Sequence, residues 1–334
     1  MITVAIVGYG YWGKNLVRNF FNHSECVLHT VVDGDAAKLT PLQKQFPTVK
    51  TSTRYEDVLQ NSSINAVVIA TPVHSHYALA KAALLAGKHV LVEKPMTSTL
   101  REAEELIELA LQRNLVIMPD HTFLYTGAVQ KMKSMIDADE IGKIKYLDST
   151  RINLGLFQSD VNVLWDLAPH DISICNYLVN KKPYSIQATG ISHTGNDIEN
   201  IAYLTMNFES DLIAHFNCSW TSPVKIRQML IGGEKKMILF NDMEPTEKIK
   251  VYDTGYSVKS DDDKTRMLVD YRTGDIYVPK LPLHEALYAM ATDFILAIRD
   301  GKKPVSNDLL GLEVVRILEA SQQSIKQGGK EVKL

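Results

Sequence analysis

The sequence predicts an α/β protein in two parts, an N-terminal domain with a parallel sheet and a C-terminal α/β domain with an open, mostly antiparallel sheet. Three observations lead there. Over the first 120 residues, short apolar runs alternate with helical patterns, the signature of βαβ units. From residue 184 to 278 the chain reads as strand after strand, separated by turn residues such as Gly232-Gly233-Glu234 and Glu209-Ser210-Asp211. The 334 residues also exceed what one core usually supports, about 250. The expected boundary is at 120/121, giving domains 1–120 and 121–334.

The elements follow in order. Residues 2–8 form an apolar run that predicts a strand, 11–21 a helix and 27–33 a second strand. Apolar runs at 66–70, 90–93 and 116–118 continue the sheet. Between them, 75–86 is an alanine- and leucine-rich helix. Residues 99–114 form another, with Thr99 and Glu102 in capping-box spacing. Past residue 120 the spacing predicts a helix over 128–136, a strand over 145–153 and a helix over 164–178. Strands follow at 185–191, 201–208, 212–220, 226–231, 236–240 and 248–252. Helices at 285–299 and 309–326 close the chain, with Gly301 and Gly328 as stop signals. The charged run 260–264 (SDDDK) reads as a solvated loop.

Composition narrows the function classes. A net charge of -3 provides no basic field to hold nucleic acid. No apolar stretch approaches the roughly 20 residues of a membrane span, and the N-terminus lacks the basic start of a signal peptide. The three cysteines, Cys26, Cys175 and Cys218, are odd in number and widely spaced. They suggest neither a disulfide framework nor a metal site. They read as buried thiols in a reducing compartment, so the expected location is cytoplasmic.

The most informative motif is Gly8-Tyr9-Gly10-Tyr11-Trp12-Gly13, a G-x-G-x-x-G that ends a strand and opens a helix. Gly8 permits the tight turn, Gly10 lets the backbone approach a pyrophosphate, and Gly13 lets helix and strand pack closely. The N–H groups and dipole at the helix start favour an anion. Asp33 ends the second strand 25 residues after Gly8. Its carboxylate suits both ribose hydroxyls of NAD and would repel the 2′-phosphate of NADP, so NAD is the preferred cofactor. This context predicts a Rossmann domain.

Two further segments carry candidate chemistry. Thr71-Pro72 and Glu93-Lys94-Pro95 end successive strands on one edge, where ligands bind in open α/β sheets. Asp166 and His170 lie four apart around Pro169, a spacing that puts both on one helix face. Taken singly, Lys94 also reads as a surface cation, His170 as a structural histidine and Asp166 as an N-cap. Spacing alone leaves these alternatives open.

The stretch 70–95 (ATPVHSHYALAKAALLAGKHVLVEKP) closely resembles the Gfo/Idh/MocA oxidoreductases, whose EKP motif supplies a catalytic lysine. The stretch 164–172 (LWDLAPHDI) resembles that family's D-x-x-x-H motif, and 303–321 its C-terminal pattern. The resemblance implies catalytic roles for Lys94, Asp166 and His170. It also implies a cofactor site built from Gly8, Gly10, Tyr11, Trp12, Gly13, Asp33, Thr71, Pro72, His76, Glu93 and Lys94. Histidine titrates near neutrality, so His170 is the preferred base and Lys94 the donor to the reacting oxygen, although the two could exchange roles.

The combination of HTFLY (121–125), RINLGLFQ (151–158) and VNVLWDLAPHD (161–171) is similar to a subgroup acting on sugar nucleotides. It implies oxidation of a secondary hydroxyl, C3 of a sugar or nucleotide-linked sugar. Tyr125, Arg151, Asn153 and Trp165 join Lys94, Asp166 and His170 as candidate substrate contacts. Tyr125 and Trp165 read equally well as core aromatics. Asp120 departs from the family, which usually has glycine there. Other readings are a free polyol or inositol dehydrogenase, an enzyme recycling tightly bound NAD, and a non-catalytic nucleotide sensor. The resemblance also implies a homodimer or homotetramer formed through the C-terminal sheet.

Overall fold

A computed structural model describes residues 1–155, 157–195, 197–209, 211–257 and 270–334. The charged run 260–264 and the turn residue Ser210 lie outside them, as does Leu156 of the RINLGLFQ stretch. The described residues divide into two compact units, Met1–Thr126 with His284–Arg316, and Gly127–Leu283 with Ile317–Leu334.

The first unit holds a six-stranded parallel sheet in the order β3-β2-β1-β4-β5-β6. Its strands are β1 (Ile2–Val7), β2 (Cys26–Val32), β3 (Lys50–Ser52), β4 (Ala66–Ile69), β5 (His89–Glu93) and β6 (Ile117–Asp120). Every residue of β4 is buried, as a strand covered on both faces requires. The chain reverses direction of travel across the sheet after β3, so the ends of β1 and β4 lie at a topological switch point. The predicted helices are present as α1 (Tyr11–Phe21), α4 (Val73–Leu85) and α5 (Leu100–Gln112). Two more, α2 (Ala36–Gln45) and α3 (Glu56–Leu59), flank β3 and carry little periodic signal. At α5 the capping box forms in both directions. Thr99 Oγ1 accepts from Glu102 N at 3.2 Å, and Glu102 Oε2 accepts from Thr99 N at 3.1 Å.

The division of the chain differs from the boundary expected at 120/121, because residues 284–316 join the parallel-sheet unit. Hydrogen bonds explain the return. Tyr125 Oη donates to Asp293 Oδ2 at 2.8 Å and accepts from Ser306 N at 3.0 Å, while Ser306 Oγ donates to the Pro119 carbonyl at 2.6 Å. Helix α8 (Ala286–Asp300) packs on α1, where His23 stacks on Tyr288 and bonds Thr292 Oγ1 at 2.9 Å.

In the second unit, α6 (Gly127–Asp137) precedes β7 (Ile144–Leu154), and α7 (Val163–Val179) follows it. The remaining strands are β8 (Pro183–Ile191), β9 (Ile201–Phe208), β10 (Leu212–Ser219), β11 (Thr221–Gly233), β12 (Met237–Asn241), β13 (Ile249–Tyr252), β14 (Gly255–Ser257), β15 (Asp270–Arg272), β16 (Ile276–Tyr277) and β17 (Val332–Lys333). Nine strands form one sheet, β16-β13-β12-β11-β7-β10-β9-β8-β17, and β14 pairs with β15. Among the described residues, all pairs of this sheet are antiparallel except β7 with β10. Strand β11 outruns its predicted span because a register shift between Thr221 and Ile226 absorbs Pro223. Helix α7 packs on β7, β9 and β10. Helix α9 (Asp308–Lys326) contributes its first residues to one unit and its last to the other. Among the described residues, no helix is long and apolar enough to cross a membrane.

Candidate active site

In the first unit, the glycine motif forms the turn between β1 and α1. Gly8 adopts φ +97°, and a Cβ on it would lie 2.5 Å from the Ala70 carbonyl oxygen. A Cβ on Gly13 would lie 2.1 Å from the Gly8 carbonyl oxygen, so only glycine lets α1 start this close to the strand. A Cβ on Gly10 would meet nothing within 4 Å. That opening lies at the N-terminus of α1, where no side chain caps the helix and no acid occupies the first turn. The arrangement fits a pyrophosphate held by backbone N–H groups and the helix dipole. Tyr11 and Trp12 are exposed in this first turn.

Asp33 follows β2, with its carboxylate fixed by the backbone. Oδ2 accepts from Tyr9 N at 2.7 Å and Oδ1 from Asp35 N at 2.9 Å, and Lys38 Nζ lies 3.5 Å from Oδ1. Burial raises its pKa, but these N–H groups and the lysine outweigh it and hold the carboxyl below its usual range. Asp33 is therefore an anion held beside the glycine turn, suited to accepting ribose hydroxyls.

Thr71 and Pro72 follow β4, and Glu93 and Lys94 stand at the end of β5, all on the C-terminal edge of the sheet. His76 on α4 is buried, with Nε2 2.7 Å from the Thr71 carbonyl and Nδ1 3.0 Å from the Pro95 carbonyl. Its ring ties these two turns together. The Lys94–Pro95 peptide is cis. Glu93 is buried, and its Oε2 accepts from Lys94 N at 3.1 Å.

Two residues absent from the predicted site stand beside Lys94. Asp120, opposite Glu93 in the β5–β6 ladder, is 3% exposed; Oδ1 accepts from Thr122 Oγ1, and Oδ2 is buried without a hydrogen-bond partner. His121 is 1% exposed, with neither ring nitrogen hydrogen-bonded. Burial, and secondarily the charge of Lys94, push His121 down to about 3, so it is neutral. The sequence signal was the unusual acid at position 120. Its burial depends on the ladder register.

In the second unit, Asp166 and His170 lie one turn apart on α7. The helix is capped by Asn162, not Asp166. Asn162 Oδ1 accepts from Leu164 N at 3.1 Å and Trp165 N at 3.2 Å, and its amide donates to Glu199 Oε2 and Gln322 Oε1. Asp166 is thereby left for Trp220, whose Nε1 donates to Oδ2 at 2.9 Å. Sequence reading missed Trp220 because it lies 54 residues from Asp166. A Cβ on Gly155 would fall 2.8 Å from Asn153 Nδ2 and 3.0 Å from Trp220 Cδ1, which places Asn153 beside this pair. Trp165 and His170 are partly exposed on α7.

Two expected substrate contacts are buried and paired within the protein. Arg151 is 3% exposed and bidentate to Asp171, Nε to Oδ2 at 2.8 Å and Nη2 to Oδ1 at 2.6 Å. Its charge is engaged under α7, where the pair anchors the helix. Tyr125 is likewise buried, and its hydroxyl is engaged by Asp293 and Ser306.

Comparison with known proteins agrees with this architecture. Residues 2–121 match the oxidoreductase family with an NAD-binding Rossmann fold, and 129–239 match the same family's C-terminal domain. An uncharacterised oxidoreductase of Synechocystis sp. is 34% identical over 44% of this chain and 39% of its own length. The chain thus aligns with well under two thirds of that relative. The UDP-N-acetylglucosamine 3-dehydrogenase of Acidithiobacillus ferrooxidans is 28% identical over 69% of this chain and 71% of its own. The solved structure of that dehydrogenase superposes with a TM-score of 0.81 over 98% of both chains at 22% identity, a likeness of fold.

Proposed function

Because the chain belongs to the Gfo/Idh/MocA oxidoreductase family, we propose that it is an NAD-dependent dehydrogenase oxidising a secondary hydroxyl, C3 of a sugar or nucleotide-linked sugar. The observation that carries this reading is Asp166, held by Trp220 one turn before His170 on a helix anchored by the Arg151–Asp171 pair. The presence of Lys94, Asp166 and His170 argues against a purely nucleotide-sensing protein. The similarity to a UDP-N-acetylglucosamine 3-dehydrogenase favours a nucleotide-linked amino sugar as substrate.

Oxidising an alcohol to a ketone removes a hydride from carbon and a proton from oxygen. Bound NAD supplies the hydride acceptor. His170 takes the hydroxyl proton. Lys94 donates a hydrogen bond to the same oxygen as negative charge develops there. Asp166 orients a substrate hydroxyl, and Asn153 and Trp165 add sugar contacts. Gly8, Gly10 and Gly13, with the exposed first turn at Tyr11 and Trp12, hold the pyrophosphate. Asp33 holds the ribose and selects NAD over NADP. Thr71, Pro72 and Glu93 shape the nicotinamide end, and His76 positions their turns.

Assembly is proposed through the open face of the nine-stranded sheet. There Tyr146, Ile191, Tyr203 and Ile213 are exposed on one face by their ladder register, opposite α7. A homodimer or homotetramer would cover them. The three buried free cysteines are consistent with the cytoplasm.

The test is NADH formation against UDP- and GDP-linked sugars, free hexoses and inositols, with and without 2-oxoglutarate as a second hydride acceptor. Turnover with a nucleotide sugar, lowered by roughly 10² to 10⁴ in His170→Ala, is expected. Turnover confined to free polyols would refute the substrate class, and an undiminished His170→Ala would refute the base.

A further inference from the structure

Resting on the dehydrogenase reading, we propose that Asp120 is a positioning residue for Lys94: it supplies the buried counter-charge that keeps the Lys94 side chain an ammonium donor and leaves proton acceptance to His170. The register places Asp120 directly opposite Glu93 across the parallel β5–β6 ladder, where facing residues are about 4.8 Å apart. Lys94 is the next residue, and its N–H binds the Glu93 carboxylate. Asp120 Oδ1 is held by Thr122, while the buried Oδ2 has no hydrogen-bond partner. A carboxylate oxygen in that position is costly unless a cation answers it.

The charged and titratable groups around Lys94 agree on one charge state. From α4, His76 is buried and held between two backbone carbonyls, and burial lowers its pKa. From β6, His121 is neutral. Burial, and then the charge of Asp120, raise Glu93 well above the usual carboxylate range. Asp120 is pushed up to about 6, chiefly by burial, against the opposing pull of Thr122 and Lys94. Tyr125, the other titratable neighbour of Asp120, is raised by burial and stays neutral. A carboxylate beside Lys94 favours its protonated form. An ammonium so paired donates a hydrogen bond and is a poor base.

Competitive labelling of amines in the intact protein, read by mass spectrometry as a function of pH, measures the Lys94 ionisation without substrate or turnover. A failure here is thus distinct from a failure of the dehydrogenase reading. In the wild-type protein Lys94 is expected to stay protonated at neutral pH, and in Asp120→Asn its midpoint should fall by about one unit or more. Glu93→Gln should move it less. NADH binding, followed by fluorescence, should be retained in Asp120→Asn, with the loss in turnover falling on kcat and not on the KM for NAD. A wild-type midpoint near neutrality would overturn the proposal, and this readout needs no variant to fold. An unmoved midpoint in Asp120→Asn that still binds NADH would overturn it equally.

Discussion

The Arg151–Asp171 pair makes a sharp prediction about what holds the candidate catalytic helix. Both side chains are buried, and two parallel N–H···O bonds of 2.8 and 2.6 Å join β7 to α7 one residue beyond His170. Arg151→Met would leave the Asp171 carboxylate buried without its cation. Breaking such a pair from one side costs about 3–5 kcal/mol. For a folding unit of this size, at about 2–4 °C per kcal/mol, that is a drop of roughly 6–20 °C in the Tm of the second unit. Replacing both partners, Arg151→Met with Asp171→Leu, should recover most of the loss, because the desolvation penalty disappears together with the attraction. Unfolding can be followed for this unit alone. Of the three tryptophans, Trp165 and Trp220 belong to it, so a Trp12→Phe background makes the emission report on α7 and β10's neighbourhood. Denaturant titrations of the two single variants and the double would complete the cycle. A cost below 1 kcal/mol for Arg151→Met, or a double variant no more stable than the singles, would refute the reasoning.

Two further outcomes are expected. Asp33→Ser removes an anion held by Tyr9 N and Asp35 N; kcat/KM for NAD should fall roughly tenfold to a hundredfold, with that for NADP falling less or rising. Steady-state kinetics with both cofactors check this, and an unchanged ratio would remove Asp33 from the ribose site. Trp220→Phe keeps an aromatic ring but deletes the donor to Asp166 Oδ2, so kcat/KM should drop about tenfold at unchanged cofactor affinity. A variant with wild-type kinetics would show that Asp166 does not depend on this bond.

The parallel-sheet unit was legible because its signals are local. The glycines, the apolar runs and the Thr99–Glu102 box each act within a few residues, where backbone sterics and capping decide the outcome. Legibility fails where a segment is short or its pattern is broken. Helix α2 contains Pro41, and β3 is only three residues, held by pairing with β2 instead of by its own periodicity. In the second unit, alternation exposed the strands but not their partners, since the parallel pairing of β7 with β10 unites residues about 67 apart.

What the sequence determined by itself is therefore the chemistry available: a glycine turn suited to a phosphate, an acid after the second strand, a lysine at a strand end, and an aspartate and histidine one helical turn apart. Tertiary structure alone decided which charges remain available. Arg151 and Tyr125 carry groups suited to a sugar, yet packing pairs each with a partner distant in sequence and takes both out of contact with solvent. Asp120 is buried as well, brought by ladder register opposite Glu93, but its Oδ2 has no hydrogen-bond partner. The reason is physical. Burial makes an unpaired charge expensive, so the side chain's role is set by the partner that the fold places against it.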